Sequence, residues 1–136
     1  MKRVFADTGY WIALLTPRDG LHEEAHRLFA TLAGVEIVTS EWVLIELLDG
    51  FATKGPYLRS LASNAVAALK ADPWVTVVPQ IREGFAETFQ LYRDRPDKDW
   101  SMTDCSTFLI MRRYGIDSAL THDKHFEQAG FNALLT

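Results

Sequence analysis

The sequence predicts an α/β domain of the three-layer α/β/α type, in which helices cover both faces of a central parallel sheet. Short apolar runs alternate along the chain with longer helical stretches, and this alternation is typical of parallel sheets with crossover helices. The runs are also too apolar for a strand with one face in water, so both faces of the sheet are expected to be covered.

Five short runs rich in apolar and β-branched residues are predicted to be strands. They span residues 3–6, 35–38, 75–78, 118–120 and 132–135. The helical stretches between them are bounded in several places by Gly or Pro. They span residues 22–33, 40–53, 57–71, 81–94 and 103–114.

The composition fits one domain, which we predict over residues 1–136. The single cysteine, Cys105, excludes an intramolecular disulfide and favours a reducing compartment, so we predict the cytoplasm. Only three apolar residues precede Asp7 after the first two cations, and we therefore predict no signal segment and no membrane association. The net charge of −4 argues against coating nucleic acid through bulk charge but does not exclude a nuclease.

Two acids follow predicted strands directly or closely. Asp7 ends the first strand, and Asp123 lies three residues beyond the strand at 118–120. Open α/β sheets place their functional sites at the carboxyl ends of strands, so the two side chains are expected at one edge. The alternative is that each acid caps a helix or forms a turn, which Asp does routinely.

Glu46 is the one charge inside the apolar run from Trp42 to Leu48. Apolar residues would surround this helix, which predicts that the helix is buried. Because an unpaired buried carboxylate is costly, Glu46 is expected to be either half of a structural ion pair or a functional ligand. The sequence does not separate these alternatives.

Asp104 lies three residues after Ser101 at the start of a predicted helix, which is the pattern of a capping box. A carboxylate in the first helical turn also projects toward the edge of the sheet, so capping is compatible with ligation. Four acids converging there would repel one another without a hard divalent cation, and oxygen ligands suit Mg²⁺ or Mn²⁺. Such a cation promotes phosphodiester hydrolysis. Asp99 is a reserve candidate for an additional acidic role.

A competing pattern is His22-Glu-Glu-Ala-His26, which matches the His-Glu-x-x-His motif of zinc peptidases. We predict that these histidines do not bind zinc, because no third ligand is identifiable and the helix uses its apolar stripe for packing. That stripe comprises Ala25, Leu28, Phe29 and Leu32. His122 and His125 flank Asp123 and are expected either at the surface or close to phosphate.

These landmarks resemble the PIN-domain ribonucleases, in particular the toxins of VapBC-type toxin–antitoxin pairs. The resemblance extends along the whole chain. It rests on Ala-Asp7-Thr-Gly-Tyr-Trp-Ile-Ala, on Glu46 in its apolar helix, on Asp99-Trp-Ser-Met-Thr-Asp104-Cys, and on Thr121-His-Asp123-Lys-His-Phe followed by Gly130-Phe131.

The resemblance implies an acidic catalytic site formed by Asp7, Glu46, Asp104 and Asp123. Asp7, Asp104 and Asp123 are the implied ligands of Mg²⁺ or Mn²⁺. Many relatives have Ser where this chain has Gly9, which leaves Thr8 as the hydroxyl there able to orient a metal-bound water.

The resemblance further implies an endoribonuclease that acts on structured RNA, forms a homodimer and is restrained by a cognate antitoxin. An RNA-processing nuclease without an antitoxin and a non-catalytic protein-binding module are the alternatives. Cations that could contact RNA are spread over several elements, and most are expected to be solvated surface. They are Lys54, Arg59, Arg82, Arg93, Arg95, Lys98, Arg112, Arg113 and Lys124.

Overall fold

The central sheet has five strands, seen in a computed structural model that describes residues 2–135. The strands are β1 (Arg3–Ala6), β2 (Glu36–Ser40), β3 (Val75–Val78), β4 (Ser118–Leu120) and β5 (Asn132–Ala133). All pair in parallel, in the order β3-β2-β1-β4-β5. The predicted α/β/α fold with a parallel sheet is confirmed.

Seven helices connect the strands within the described residues. They are α1 (Thr8–Leu15), α2 (His22–Phe29), α3 (Glu41–Phe51), α4 (Pro56–Ala71), α5 (Arg82–Asp94), α6 (Met102–Tyr114) and α7 (Lys124–Gln128). The sequence did not predict α1, whose apolar residues show no helical period, or α7, which has only five residues. Between residues 2 and 135, each helix is too short or too polar to cross a membrane.

The strand order places β1 at the centre, between β2 and β4. Phe5 pairs with Val38 of β2 on one side and with Ala119 of β4 on the other. Because the strands are parallel, their carboxyl ends lie at the same edge of the sheet. The backbone N–H of Asp7 continues this pairing by donating to the carbonyl of Leu120 at 3.2 Å. The chain segments after β1 and β4 therefore begin side by side.

Helix α3 is amphipathic, and the prediction that it is buried on all sides is wrong. Val43 and Leu47 are fully buried, whereas Ile45 is 56% exposed and Leu48 is 37% exposed. Glu46 lies on the exposed side. The helix packs one face on the rest of the molecule, and an apolar sequence alone does not reveal which face remains uncovered.

Phe108 of α6 is the centre of an aromatic cluster that joins the helices nearest the carboxyl edge. Its ring meets Trp100 at 5.0 Å and Phe126 of α7 at 5.1 Å, both edge to face, and stacks on Phe131 at 5.7 Å. Phe108 and Phe126 are fully buried. The cluster fixes α6, whose first turn contains Asp104, relative to α7, whose N-cap is Asp123.

We expect Phe108→Ala to lower the free energy of unfolding by about 3–5 kcal/mol, because it removes a ring from a closely packed cluster and leaves a cavity. Urea denaturation followed by circular dichroism measures this change. Tyr57→Ala is the control, since Tyr57 is 78% exposed, and we expect a change within about 0.5 kcal/mol. Equal effects of the two substitutions would contradict the assigned role of the cluster.

Candidate active site at the carboxyl edge of the sheet

Asp7 connects β1 to α1, and its side chain is buried, with 8% of the residue exposed. It stands at the N-cap position of α1 but makes no capping hydrogen bond with its side chain. Its Oδ2 instead accepts a hydrogen bond from the Thr121 hydroxyl at 3.0 Å. The simple capping role considered for Asp7 is therefore not what its carboxylate does.

Burial raises the pKa of Asp7 from 3.8 to about 7. The backbone of Thr8 and the hydroxyl of Thr121 lower this pKa, because they donate to the ionised form. The negative charges of Asp104 and Glu46 contribute to the rise, and the value of about 7 includes all of these effects. Asp7 therefore lies within electrostatic reach of two of the other three predicted acids.

Asp104 closes the predicted capping box at the start of α6. Its backbone N–H donates to the Ser101 hydroxyl at 3.0 Å, and its Oδ2 accepts from the Ser101 N–H at 3.1 Å. Burial raises the pKa of Asp104 and the nearby Asp123 charge raises it further, whereas Ser101 and His125 lower it. The cap thus holds a carboxylate whose charge is costly in the metal-free protein.

Asp123 caps α7, where its Oδ1 accepts from the His125 N–H at 2.9 Å. Thr121 joins this cap to Asp7: its hydroxyl donates to Asp7 and accepts from the Asp123 N–H at 3.1 Å. The capping role considered for Asp123 is confirmed, and it leaves the carboxylate beside Asp104. The sequence analysis quoted Thr121 within a motif but gave it no role of its own.

His125 is the site residue that the sequence analysis did not place. Its Nδ1 lies 3.2 Å from Asp104 Oδ2 and 3.2 Å from Asp123 Oδ1, although neither contact has the alignment of a hydrogen bond. Ligand atoms of the three residues all lie within 4.8 Å of one another. The spacing of Thr121, Asp123 and His125, two residues apart after a strand, is the only local signal for this cluster.

Glu46 is the most open of the four predicted acids. It is exposed on α3 and makes no ion pair with any residue between 2 and 135, so the salt-bridge alternative finds no partner there. Its charge nevertheless acts on Asp7. Because Glu46 is exposed, its charge carries no burial cost that a ligand would have to offset. Its effect on Asp7 keeps it a candidate for the active site.

The donor set fits a hard divalent cation. Asp7, Asp104 and Asp123 supply oxygen ligands, and the raised pKa values of Asp7 and Asp104 reflect charge that a cation would compensate. The Thr8 hydroxyl is buried beside Asp7 without a hydrogen-bond partner among residues 2–135. A polar atom of this kind is suited to a water held by the cation.

The remaining candidates lie elsewhere or are otherwise engaged. His22 Nδ1 contacts the Ala13 carbonyl oxygen at 2.7 Å, and His22 packs edge to face on His26. No group of three metal-binding side chains within residues 2–135 includes either histidine. Phe29 is 48% exposed, so it does not belong to the inner stripe of α2 as expected. Asp99 is exposed.

We expect Asp7→Asn to stabilise the metal-free protein at alkaline pH. The pKa of Asp7 is about 7 in the folded protein, against 3.8 for an ordinary Asp. Above about pH 7, Asp7 is therefore ionised in both the folded and the unfolded protein, and the folded protein bears the full cost of burying the charge. Below about pH 4 it is protonated in both states and the cost disappears. Stability should therefore fall as pH rises from about 4 to 7, by up to about 4 kcal/mol.

Thermal unfolding in EDTA at several pH values tests this expectation. The melting temperature of Asp7→Asn should exceed that of the wild type at about pH 8, and the gap should narrow toward about pH 4. Asp49→Asn is the control, since Asp49 is exposed and has no assigned role. An Asn variant that is less stable than the wild type at about pH 8 would show that the ionised carboxylate is favourable where it lies.

Residues 4–132 match the PIN domain family. The 23S rRNA-specific endonuclease VapC20 of Mycobacterium tuberculosis is 29% identical over 128 residues, which cover 94% of this chain and 95% of VapC20. The crystal structure of that VapC20, a sarcin-ricin loop cleaving toxin, superposes with a TM-score of 0.83 at 27% identity, covering 94% of this chain and 95% of the other. FitAcB from Neisseria gonorrhoeae shares the fold, with a TM-score of 0.67 at 16% identity and coverage of 98% and 96%. The predicted resemblance is confirmed, and the chain belongs to the PIN domain family.

Proposed function

We propose that the chain is a divalent-metal-dependent endoribonuclease and the toxin of a toxin–antitoxin pair. One observation carries the proposal: the buried Asp7 and the cluster of Asp104, Asp123 and His125 are joined through Thr121 at the carboxyl edge of the sheet. VapC20, which cuts 23S rRNA, is a relative over most of this chain. Its activity makes RNA the substrate class to be tested first.

Asp7, Asp104 and Asp123 are the proposed ligands of Mg²⁺ or Mn²⁺, with Asp7 and Asp104 the leading direct ligands. When bound there, the cation would act as a Lewis acid toward the phosphate and would lower the pKa of water. Thr121 orients Asp7 by donating to its Oδ2. Thr8 offers a free hydroxyl beside Asp7, and we assign it the positioning of a water.

Glu46 is the proposed proton acceptor. Its side chain is exposed, so water and RNA reach it directly, and it lies near enough to Asp7 to raise the pKa of that residue. A carboxylate held next to a cation site but outside the ligand set can take a proton from an attacking water. Asp104, which is buried, and Asp123, which is half-buried, are both held by helix-capping hydrogen bonds and are less suited to that role.

We expect Asp104→Asn, Asp123→Asn and Glu46→Gln each to reduce RNA cleavage by at least about 100-fold while the protein remains folded. Cleavage of purified 23S rRNA, followed by sequencing of the new RNA ends, measures the effect. EDTA should abolish cleavage, and added Mg²⁺ or Mn²⁺ should restore it.

Glu23→Gln is the matched control for these variants, because Glu23 is an exposed acid on α2. It also tests the peptidase alternative, in which Glu23 would be the base of the His-Glu-x-x-His motif. A Glu46→Gln protein that cuts normally would remove Glu46 from the site. Loss of RNA cleavage in the Glu23→Gln protein would show that α2 contributes to the reaction.

The proposed toxin role implies a small protein inhibitor. VapBC2 from Rickettsia felis, which was solved bound to a DNA fragment from its promoter, shares the fold.

We also propose a homodimer. Exposed apolar side chains on α3, Ile45 and Leu48, support a protein partner at that helix. The buried free thiol of Cys105 is compatible with the proposed cytoplasmic location.

We expect expression of the chain alone to arrest growth, and Asp7→Asn to abolish the arrest, because an uninhibited ribonuclease destroys cellular RNA. Co-expression of the small gene adjacent to its own should restore growth. Colony counts after induction measure both effects, with Asp49→Asn, at an exposed acid without an assigned role, as the control expected to arrest growth as the wild type does. Harmless expression of a protein that cuts RNA when purified would replace the toxin role with RNA processing.

A further inference from the structure

A second surface feature lies next to the carboxylates. A cavity of about 360 Å³ opens between the end of α5, the loop that follows it and the start of α6. Three aromatic and three cationic side chains line it: Phe89, Tyr92, Trp100, Arg93, Arg95 and Lys98. No acidic side chain is among its lining residues, although the chain as a whole carries a net charge of −4.

The cations lie over the rings. The Arg93 guanidinium is 5.6 Å from the Phe89 ring centroid, and Arg95 and Lys98 lie 5.0 and 6.0 Å from that of Trp100. Arg95 is also held by two 3.0 Å hydrogen bonds to Asp97, which neutralises part of its charge. Arg93 and Lys98 make no ion pair within residues 2–135. Two cations are thus available to an anionic ligand.

The three rings differ in exposure: Trp100 forms the buried floor of the cavity, and Phe89 and Tyr92 form its open wall. Trp100 is 5% exposed, and its Nε1 donates to Gln128 of α7 at 3.2 Å. Phe89 and Tyr92 are 45% and 49% exposed. Phe89 also stacks on Phe85, with ring centroids 6.3 Å apart, so a planar ligand meets the exposed part of Phe89 and the ring of Tyr92 while the cations reach its charged group.

The cavity is connected to the candidate active site by the chain itself. Trp100 immediately precedes the capping box of Ser101 and Asp104, and Cys105, which also lines the cavity, immediately follows it. Trp100 is bound to α7, the helix that Asp123 caps. The cavity therefore adjoins the first turn of α6, which contains Asp104.

We propose that this cavity binds one unpaired nucleotide of the RNA substrate, beside the bond that is cut. The base packs against the exposed part of Phe89 and the ring of Tyr92, and the phosphate pairs with Arg93 and Lys98. The inference rests on the proposed ribonuclease function and adds a requirement to it. Because a paired base has both faces covered by its neighbours, only an unstacked nucleotide can enter, and the cavity selects loops over duplex RNA.

RNA fits the lining better than a protein segment does. An acidic peptide would use the cations but leave the exposed rings partly solvated, whereas a nucleotide carries a flat base and a phosphate on one unit. Stacking on aromatic rings combined with cations along the backbone is the usual means of binding single-stranded nucleic acid. An antitoxin segment and a second copy of the chain are the other possible occupants, and the experiment separates them.

The test measures binding in EDTA, where the RNA stays intact. The probes are a fluorescein-labelled ten-nucleotide RNA and the same RNA annealed to its complement. Phe89→Leu and Tyr92→Leu should each weaken binding of the single strand about tenfold and change duplex binding less than about twofold. Tyr57→Leu, at an exposed tyrosine of α4 outside the cavity, should bind as the wild type does.

Salt titrations test the cations separately. Arg93→Gln and Lys98→Gln should each reduce the slope of log Kd against log salt by about 0.7 for the single strand, since each removes one phosphate contact. Arg27→Gln is the control, because Arg27 is exposed on α2 and outside the cavity. If a leucine substitution lowers the melting temperature, Arg93→Gln and Lys98→Gln still test whether the cavity binds the single strand.

Normal single-strand binding by the ring and charge variants, equal losses for strand and duplex, or a wild type that binds neither probe would overturn the inference. So would variants that bind RNA normally but fail to dimerise or to bind the co-expressed antitoxin. Cleavage of RNA by the wild type in Mg²⁺ is scored independently. Cleavage without any effect of the cavity variants leaves the proposed function standing, whereas absence of cleavage removes that function whatever the cavity binds.

Discussion

The Asp7 carboxylate is buried at the end of the central strand, and an ionised group there is stable only if its surroundings replace the water it has lost. The Thr121 hydroxyl and the backbone of Thr8 supply part of this replacement. The charges of Asp104 and Glu46 act in the opposite direction. What is missing is positive charge, and either a proton or a metal cation can provide it. Three structural features hold carboxylates around the place where positive charge is missing. They are the hydrogen bonds of Thr121, the capping box of α6 and the cap of α7.

The net charge of the chain conceals how its charges are arranged. Acids gather at the carboxyl edge of the sheet, while the neighbouring cavity is lined by cations and rings without any acid. A phosphate approaching the metal-free site meets repulsion from the carboxylates and attraction from the cavity beside them. Binding of a cation reverses only the first of these. In the proposed function, catalysis and substrate affinity are therefore assigned to two chemically different surfaces.

The sequence predicted the sheet and most helices because their signals are local: apolar runs, helical spacing, and Gly or Pro at the boundaries. It missed α1, since a short helix that is apolar on all sides has no period to detect. It also misjudged Glu46, because an apolar run does not reveal that Ile45 and Leu48 remain exposed. The contact of His125 with Asp104 joins residues 21 positions apart, and only the packing of α6 against α7 creates it. The assignment of the four acids to catalysis stays a prediction.

The place of β1 in the sheet also has a consequence for the order of events during synthesis. This strand precedes one of its two neighbours, β4 at Ser118–Leu120, by more than 110 residues in the sequence. Until those residues leave the ribosome, β1 lacks half of its strand pairing and Asp7 lacks Thr121. Contacts so distant along the chain form late in folding. The candidate site around Asp7 is therefore assembled only after β4 and Thr121 have been synthesised, although Asp7 itself is made much earlier.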